Sequence, residues 1–245
     1  RLGYRAVVAV GGDGTVAEVI TGLAGTQVPL AGVAQGTGNQ VACNLGIPRS
    51  VEAAVDVVVN GTPTPIDLGQ LGNGRYFAVA AGAGWDAAVV AVATRELKDR
   101  WGFGAYLYAT LKVGSTPPAS TYRITADGEA LEIRAAMVLV ANMGRIVSNP
   151  RAVDVRIGPG VSHRDGLLDV CIFAPRTLPE AAALVWKMAR QQFAGDERML
   201  FVQGREITVE SDPPVLYEID GELIGETPLS ARAVPGGITV MVPKE

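Results

Sequence analysis

A glycine-rich turn between an apolar run and a helical pattern constrains the fold of this chain more than any other feature. The run Tyr4–Val10 is continuous and rich in β-branched residues, as expected for a strand buried on both faces of a parallel sheet. The sequence GGDGT follows at residues 11–15, and apolar residues then recur at helical spacing up to Leu23. The order strand, tight turn, helix predicts a doubly wound α/β fold.

The same order occurs a second time. A strand predicted over Leu30–Gln35 runs into GTGN at residues 36–39 and a short helix to Leu45. The two turns should meet at the carboxyl ends of their strands, where glycine N–H groups and helix dipoles favour a phosphate. Asp13 fits such a place if it helps to hold a Mg²⁺ that bridges phosphates. The alternative is that Asp13 caps its own helix.

A strand-rich region follows Gly61. Pro63 and Pro65 break the pattern, so we divide the chain into an α/β domain over residues 1–63 and a β-sandwich over residues 64–228, with residues 229–245 packing back on the first domain. Helices are predicted over Trp85–Lys98, Gly104–Val113 and Pro179–Phe193. The predicted strands are Thr121–Thr125, Glu132–Val140, Leu167–Phe173, Glu206–Glu210, Leu216–Ile219 and Thr239–Val242.

The composition excludes several classes of function. Hydrophobic residues make up 48% and charged residues 19% of the 245, which supports a sizeable core and excludes a disordered chain. The net charge of -4 argues against a nucleic-acid partner. The longest apolar stretch, Phe77–Ala93, contains Asp86 and many small residues, so we expect no transmembrane segment and a soluble, cytoplasmic protein.

At this point GGDGTVAEVITGL followed by GVAQGTGNQVACNLGIP resembles the catalytic domain of the diacylglycerol kinase family, which includes bacterial soluble lipid kinases and sphingosine kinases. IDLG, NGRYFAVAAGAGWDAAVV, DGLLDVCIF and YEIDGELIGETPLSARAVPGGITVMVP continue the resemblance in order. It implies ATP-dependent phosphorylation of a lipid hydroxyl in phospholipid biosynthesis, a NAD kinase-like first domain, and a β-sandwich that holds the lipid during transient membrane association. A homodimer is compatible with it. The nucleotide-binding residues that it implies are Gly11, Gly12, Asp13, Gly14, Thr15, Glu18, Gly36, Thr37, Gly38 and Asn39.

The resemblance also assigns the catalytic residues. Asp220-Gly221-Glu222 matches the family's DGE motif, so Asp220 and Glu222 are expected to act on the acceptor hydroxyl as a general base. A DG pair also turns hairpins, and a second DGE begins at Asp127. We assign Asp127 to a hairpin because only Asp220 precedes the family's C-terminal ending. Asp86 is expected to hydrogen-bond the acceptor head group.

DGLLD at residues 165–169 matches a segment in which related lipid kinases hold a structural Mg²⁺. The implied ligands are Asp165 and the carbonyls of Ser162 and Leu167, with Asp67 linked through water. The alternative is an Asx turn at Asp165 that enters a strand.

Some features depart from the family. Gln40 stands where GTGN is usually followed by Asp, which puts one contact near the nucleotide in doubt. A strand–helix–strand unit usually precedes GGDGT, so we expect a truncated member with an unpaired sheet edge at Tyr4–Val10. NAD kinase, which shares GGDG, and an inactive nucleotide- or lipid-binding module remain the alternatives. Trp101, Phe103, Tyr106 and Tyr108 line either an acyl cleft or a core.

Overall fold

A computed structural model describes residues 3–93, 97, 108–109, 112–113, 119–147 and 154–244. The helices in these ranges are α1 (Asp13–Leu23), α2 (Gln40–Asn44), α3 (Val51–Asn60), α4 (Trp85–Val92) and α5 (Leu178–Ala189). The strands are β1 (Val7–Gly11), β2 (Leu30–Ala34), β3 (Thr62–Leu71), β4 (Tyr76–Phe77), β5 (Ala80–Gly84), β6 (Ser120–Ala126), β7 (Glu129–Ala135), β8 (Met137–Ala141), β9 (Arg145–Val147), β10 (Val155–Arg156), β11 (Leu168–Phe173), β12 (Met199–Gly204), β13 (Glu206–Asp212), β14 (Leu216–Ile219), β15 (Glu222–Glu226) and β16 (Leu229–Val242).

Both predicted glycine turns follow strands that lie at one edge of the first sheet. Its strand order among the described residues is β1-β2-β16-β13-β6-β7, with β3 paired to β16 and β4 paired to β3. Strands β1 and β2 are parallel and in register from Val7 opposite Leu30 to Gly11 opposite Ala34. Because both strands end at the same level, the turns that follow them lie side by side.

Strand β16 joins the α/β part to the β-rich part. It runs parallel to β2, with Val240 opposite Leu30, and antiparallel to β3 and β13. The prediction of a strand over Thr239–Val242 alone was therefore too short. Within β16, Pro235-Gly236-Gly237 forms a register shift between Val234 and Ile238. The predicted domain boundary falls within β3, and the division into two domains stays a prediction.

The second sheet has the order β12-β11-β8-β5-β14-β15 and packs on the first. The prediction of one strand over Glu132–Val140 was wrong, because these residues form two strands: β7 belongs to the first sheet and β8 to the second. The chain changes sheet at Ala136, whose carbonyl accepts the N–H of Trp85 (3.0 Å) instead of a ladder hydrogen bond. The core between the sheets includes Phe77, Tyr122 and Val138, each 0% exposed. The expected α/β fold with a β-rich second part is confirmed.

Helices α4 and α5 begin within one residue of their predicted positions, but α4 ends at Val92, and most of the predicted continuation to Lys98 lies outside the described residues. Thr177 caps α5 by accepting the N–H of Glu180, and the helix ends at Ala189 rather than at Phe193. The expectation of a first strand buried on both faces was wrong, because β1 begins at Val7, ends the described strand order and leaves Val8 and Val10 45% and 61% exposed. The predicted helix over Gly104–Val113 lies largely outside the described residues, as do Trp101, Phe103 and Tyr106. None of the described helices combines the length and hydrophobicity needed to span a bilayer.

Candidate functional site

The two glycine turns pack backbone against backbone. A Cβ atom built on Gly36 would lie 2.4 Å from the Cα of Gly12, so neither position has room for a larger residue without separating the turns. The second turn is also closed on itself, because Asn39 Oδ1 accepts the N–H of Gly36 (2.8 Å) while Asn39 Nδ2 donates to the Gly36 carbonyl (2.6 Å). The turns therefore form one rigid cradle.

Asp13 connects the cradle to the second helix. It is the first residue of α1, yet its Oδ1 accepts the N–H of Gln40 (2.6 Å), which is the first residue of α2. Burial raises the pKa of Asp13, and hydrogen bonds from backbone N–H groups at Gln40 and its neighbours act in the opposite direction. The alternative that Asp13 caps its own helix was wrong, since the bond that the structure shows goes to the start of α2.

The Gln40 side chain turns toward the β-rich part of the chain. Its Nε2 donates to the carbonyl of Ile146 (3.0 Å), the middle residue of β9. Asn44 makes two further bonds to β9, accepting the N–H of Arg145 (3.0 Å) and donating to the carbonyl of the same residue (2.9 Å). Helix α2 is thus held against the strand that follows β8. In this chain the residue that replaces the family's Asp serves as a link between the two parts.

Other predicted nucleotide-binding residues lie at the mouth of the cradle. The exposed ones are Gly14, Thr15, Glu18, Thr37 and Gly38. Gly38 comes close to the acid in the cradle, because a Cβ atom there would lie 2.7 Å from Asp13 Oδ2. Four of these residues offer small side chains, two hydroxyl groups and backbone N–H groups, which suit a phosphate chain, whereas Glu18 adds a carboxylate that would repel one.

Asp220 lies in a hairpin turn of the second sheet, against the segment that joins β4 to β5. It forms with Gly221 the turn between β14 and β15, and both residues have positive φ angles of 47° and 85°. Its carboxylate accepts three backbone N–H groups: that of Ala78 on Oδ2 (2.8 Å), and those of Val79 (2.9 Å) and Ala80 (3.1 Å) on Oδ1. Burial raises the pKa of Asp220 to about 6, against the effect of these N–H groups, and the negative charge of Asp13 adds to the rise.

Glu222 stands in a different environment from Asp220. It is the first residue of β15, and its side chain is 65% exposed and paired with Arg75 at 2.7 Å. An ion pair this exposed contributes little to stability. The predicted catalytic pair therefore consists of an inward carboxyl that is fixed by the backbone and an outward carboxyl that is held by one arginine.

The second DGE shows that the motif alone does not define a site. Asp127 and Gly128 turn the hairpin between β6 and β7 with φ angles of 48° and 92°, which confirms the predicted hairpin. The Asp127 carboxylate accepts the N–H groups of Arg205 and Glu206, and these bonds lower its pKa. Both motifs form the same kind of turn, and their surroundings distinguish them. The Asp220 carboxylate is enclosed by the backbone of residues 78–80, while Asp127 lies at the surface.

Asp67 clamps the predicted metal-binding segment. Its Oδ2 accepts the N–H of Gly166 (2.7 Å) and its Oδ1 accepts the N–H of Gly236 (2.8 Å), which joins the DGLLD segment to the irregular part of β16. Asp165 Oδ1 accepts the N–H of Leu167 (3.0 Å), an Asx turn, and Ser162 Oγ accepts the N–H of Arg164 (3.3 Å). Within the described residues no group of three or more His, Cys, Asp or Glu side chains could hold a metal ion. A site made from one carboxylate and carbonyl oxygens stays a prediction.

Two buried polar residues near Asp220 were missed in the sequence. Asn142 is 0% exposed and donates to the carbonyls of Asp67 (2.9 Å) and Ala78 (2.8 Å). It therefore joins the strand that contains Asp67 to the segment whose N–H groups bind Asp220. Glu218, 4% exposed, is hydrogen-bonded to Asp86 in the first turn of α4. The available signal for Glu218 was its position two residues before Asp220, in the YEIDGE segment.

The fold of this chain is the one found in solved diacylglycerol and NAD kinases. A diacylglycerol kinase structure from Bacillus anthracis superimposes with a TM-score of 0.73 at 21% identity, covering 97% of this chain and 76% of that one. An NAD kinase from Archaeoglobus fulgidus, solved with ATP, gives a TM-score of 0.51 at 13% identity, covering 98% of this chain and 79% of that one. At these identities the two structures show the shared fold.

Sequence relatives define the family. Residues 1–71 match the diacylglycerol kinase catalytic domain, and residues 79–242 match the YegS C-terminal NAD kinase beta sandwich-like domain. The diacylglycerol kinase of Mycobacterium tuberculosis is 30% identical over 249 residues, covering 99% of this chain and 78% of that protein. An uncharacterized protein of Synechocystis is 30% identical over 243 residues, 98% of this chain, which spans only 55% of that relative. The chain belongs to the diacylglycerol kinase family.

Proposed function

We propose that this chain is an ATP-dependent lipid kinase that phosphorylates a hydroxyl of diacylglycerol or a related lipid. The observation that carries the proposal is the position of Asp220. Its carboxylate is held by the backbone of Ala78 and Val79, which pack in one core cluster with the strand and the helix on either side of the first glycine turn. A phosphate-binding turn and a carboxyl that can accept a proton are the two parts that phosphoryl transfer to an alcohol requires.

The cradle formed by residues 11–15 and 36–39 is proposed to hold the phosphates of ATP. Backbone N–H groups at the start of α1 and the positive end of its dipole favour negative charge there. The close approach of Gly12 and Gly36 fits this role, because a Cβ atom at either position would occupy the cradle. Rigid N–H donors stabilise the transferring group without having to reorganise.

Mg²⁺ fits the donor set that the site provides. Magnesium in proteins is commonly bound through one or two carboxylates together with substrate phosphates, and Asp13 supplies a carboxyl within the first glycine turn. The ion would neutralise charge on the phosphates when bound. A second, structural Mg²⁺ at Asp165, with the carbonyls of Ser162 and Leu167 and with Asp67 through water, belongs to the same proposal.

Asp220 is proposed to accept the proton of the lipid hydroxyl. Three backbone N–H groups fix its orientation, while a pKa of about 6 leaves it mostly ionised at neutral pH and still basic enough to accept a proton. Glu222 is proposed to assist from the same hairpin, with Arg75 holding its carboxylate. Asp86, half-buried at the start of α4, is proposed to bind the acceptor head group. The acceptor is reached at a membrane surface.

The experiment that tests this function is transfer of label from γ-labelled ATP, with Mg²⁺, to separate acceptors. The acceptors are diacylglycerol in mixed micelles, phosphatidylglycerol, sphingosine and NAD. Label on a lipid, diacylglycerol first of all, is the expected result. Label on NAD alone would replace the proposal with NAD kinase activity, and saturable ATP binding without transfer to any acceptor would replace it with an inactive binding module.

A further inference from the structure

Two carboxyl side chains meet in the interior next to the Asp220 hairpin. Glu218 lies on β14 and is 4% exposed, and its side chain is hydrogen-bonded to that of Asp86 on α4. A hydrogen bond between two carboxyl groups requires a proton on one of them, because an ionised carboxylate only accepts. The pair therefore holds one proton and carries one negative charge.

The backbone around Gly82 makes room for this contact. Gly82 on β5 lies opposite Glu218 in the antiparallel pairing of β5 with β14. A Cβ atom on Gly82 would lie 2.5 Å from Asp86 Oδ2 and 2.8 Å from Glu218 Oε1. Both carboxyl oxygens thus converge on the space that a side chain would otherwise fill, which shows a packed pair rather than a chance approach of two flexible acids.

The other oxygen of Glu218 reaches the catalytic hairpin. Glu218 Oε2 accepts the N–H of Gly221 (2.6 Å), and Gly221 is the second residue of the left-handed turn that begins at Asp220. Glu218 consequently connects α4, through Asp86, with the turn that orients Asp220. The contacts therefore run from the side chain of Asp86 through that of Glu218 to the backbone N–H of Gly221, the residue that follows the predicted general base.

The charges around Glu218 decide which residue of the pair holds the proton. Burial raises the pKa of Glu218 well above its usual range, and the negative charges of Asp86 on α4 and Asp220 on the hairpin raise it further. Its partner on β5 is the uncharged Gly82, and no described cation acts on it in the opposite direction. Asp86 is half-buried and closer to water than Glu218, so the proton belongs on Glu218 and the charge on Asp86.

We propose that Glu218 is a positioning residue that donates its proton to Asp86 and accepts from Gly221, and so orients both the acceptor-binding carboxylate and the Asp220 turn. This inference rests on the proposed lipid kinase function. Ionisation of Glu218 at alkaline pH would place two negative charges side by side and separate them, which would release both Asp86 and the turn.

Two substitutions at one position test the proposal. Glu218→Gln keeps an N–H donor for Asp86 and an oxygen for Gly221, whereas Glu218→Leu has a similar volume and supplies neither. We expect the Gln variant to retain kcat and the KM for lipid within about 3-fold. The Leu variant should lose about 10-fold or more in kcat/KM for lipid, because the acceptor would be misplaced, while its KM for ATP should not change. The exposed Glu210 on β13, changed to Gln, is the control and should have no effect.

The pH profile and infrared spectroscopy separate positioning from a merely structural role. The unchanged protein should lose activity at alkaline pH, where Glu218 ionises, and the Gln variant should not. The infrared band of a protonated carboxyl should persist at neutral pH and disappear in the Gln variant, a result that does not depend on activity. If no lipid is phosphorylated but this band is present, only the proposed function fails. Equal loss of activity in both variants, or an unchanged band in the Gln variant, would overturn the positioning role.

Discussion

Gly36→Ala should damage the cradle at its narrowest point. The added methyl group would lie 2.4 Å from the Cα of Gly12 and 2.9 Å from Asn39 Oδ1. The first contact is with backbone, so no side chain can rotate away to relieve it. Carbon atoms pack at about 3.5–4.0 Å, and the two turns would therefore have to separate by roughly 1 Å or more.

The expected cost follows from that displacement. Overpacking of this kind destabilises a fold by about 1–3 kcal/mol, which a protein of ordinary stability survives. A shift of about 1 Å in groups that position a reacting phosphate can reduce catalysis by about 100-fold. We therefore expect Gly36→Ala to remain folded, to bind ATP at least tenfold more weakly, and to lose most of its phosphoryl-transfer activity.

Titration with ATP by calorimetry and a thermal melt measure the two effects separately. Gly22→Ala is the matched control, because Gly22 is an exposed residue of α1 and a Cβ atom there would meet nothing within 4 Å. That substitution should stabilise the protein by about 0.5–1 kcal/mol and leave ATP binding unchanged. Unweakened ATP binding by a folded Gly36→Ala protein would refute the cradle as the nucleotide site.

Three further predictions concern the acids. Asp220→Asn should lower kcat by about 100-fold or more with the fold retained, whereas Asp127→Asn should cost little activity; equal losses would show that the hairpins have been given the wrong roles. Because the base must be ionised, kcat/KM should fall as the pH drops below the Asp220 pKa of about 6, and a profile that is flat from pH 5 to 7 would exclude Asp220 as the base. Asp67→Ala leaves the N–H groups of Gly166 and Gly236 without their acceptor, which should cost about 2–5 kcal/mol in urea unfolding, and an unchanged midpoint would contradict the clamp.

The sequence predicts the local order of the fold well. Strand β14 is found at the predicted residues, and strands β1 and β2 begin or end within a few residues of their predicted positions. Apolar periodicity and glycine turns report such local structure directly. The sequence could not show that the chain changes sheet at Ala136, because an alternating pattern reads the same on either sheet.

The parts of the candidate site that a sequence motif marks were predictable. The GGDGT and GTGN turns lie together as expected, since parallel strands bring their carboxyl ends to one edge. The partners of buried acids were not predictable. The bond from Gln40 to Asp13 and the contact of Glu218 with Asp86 join residues that are distant in sequence, and such pairs follow from tertiary packing.

A crystal structure of the chain with a non-hydrolysable ATP analogue and Mg²⁺ tests the central claim most directly. We predict that the phosphates lie on the turns at residues 11–15 and 36–39, with the terminal phosphate directed at Asp220. A nucleotide bound away from these turns, or with its phosphates directed away from the Asp220 hairpin, would contradict the proposed function.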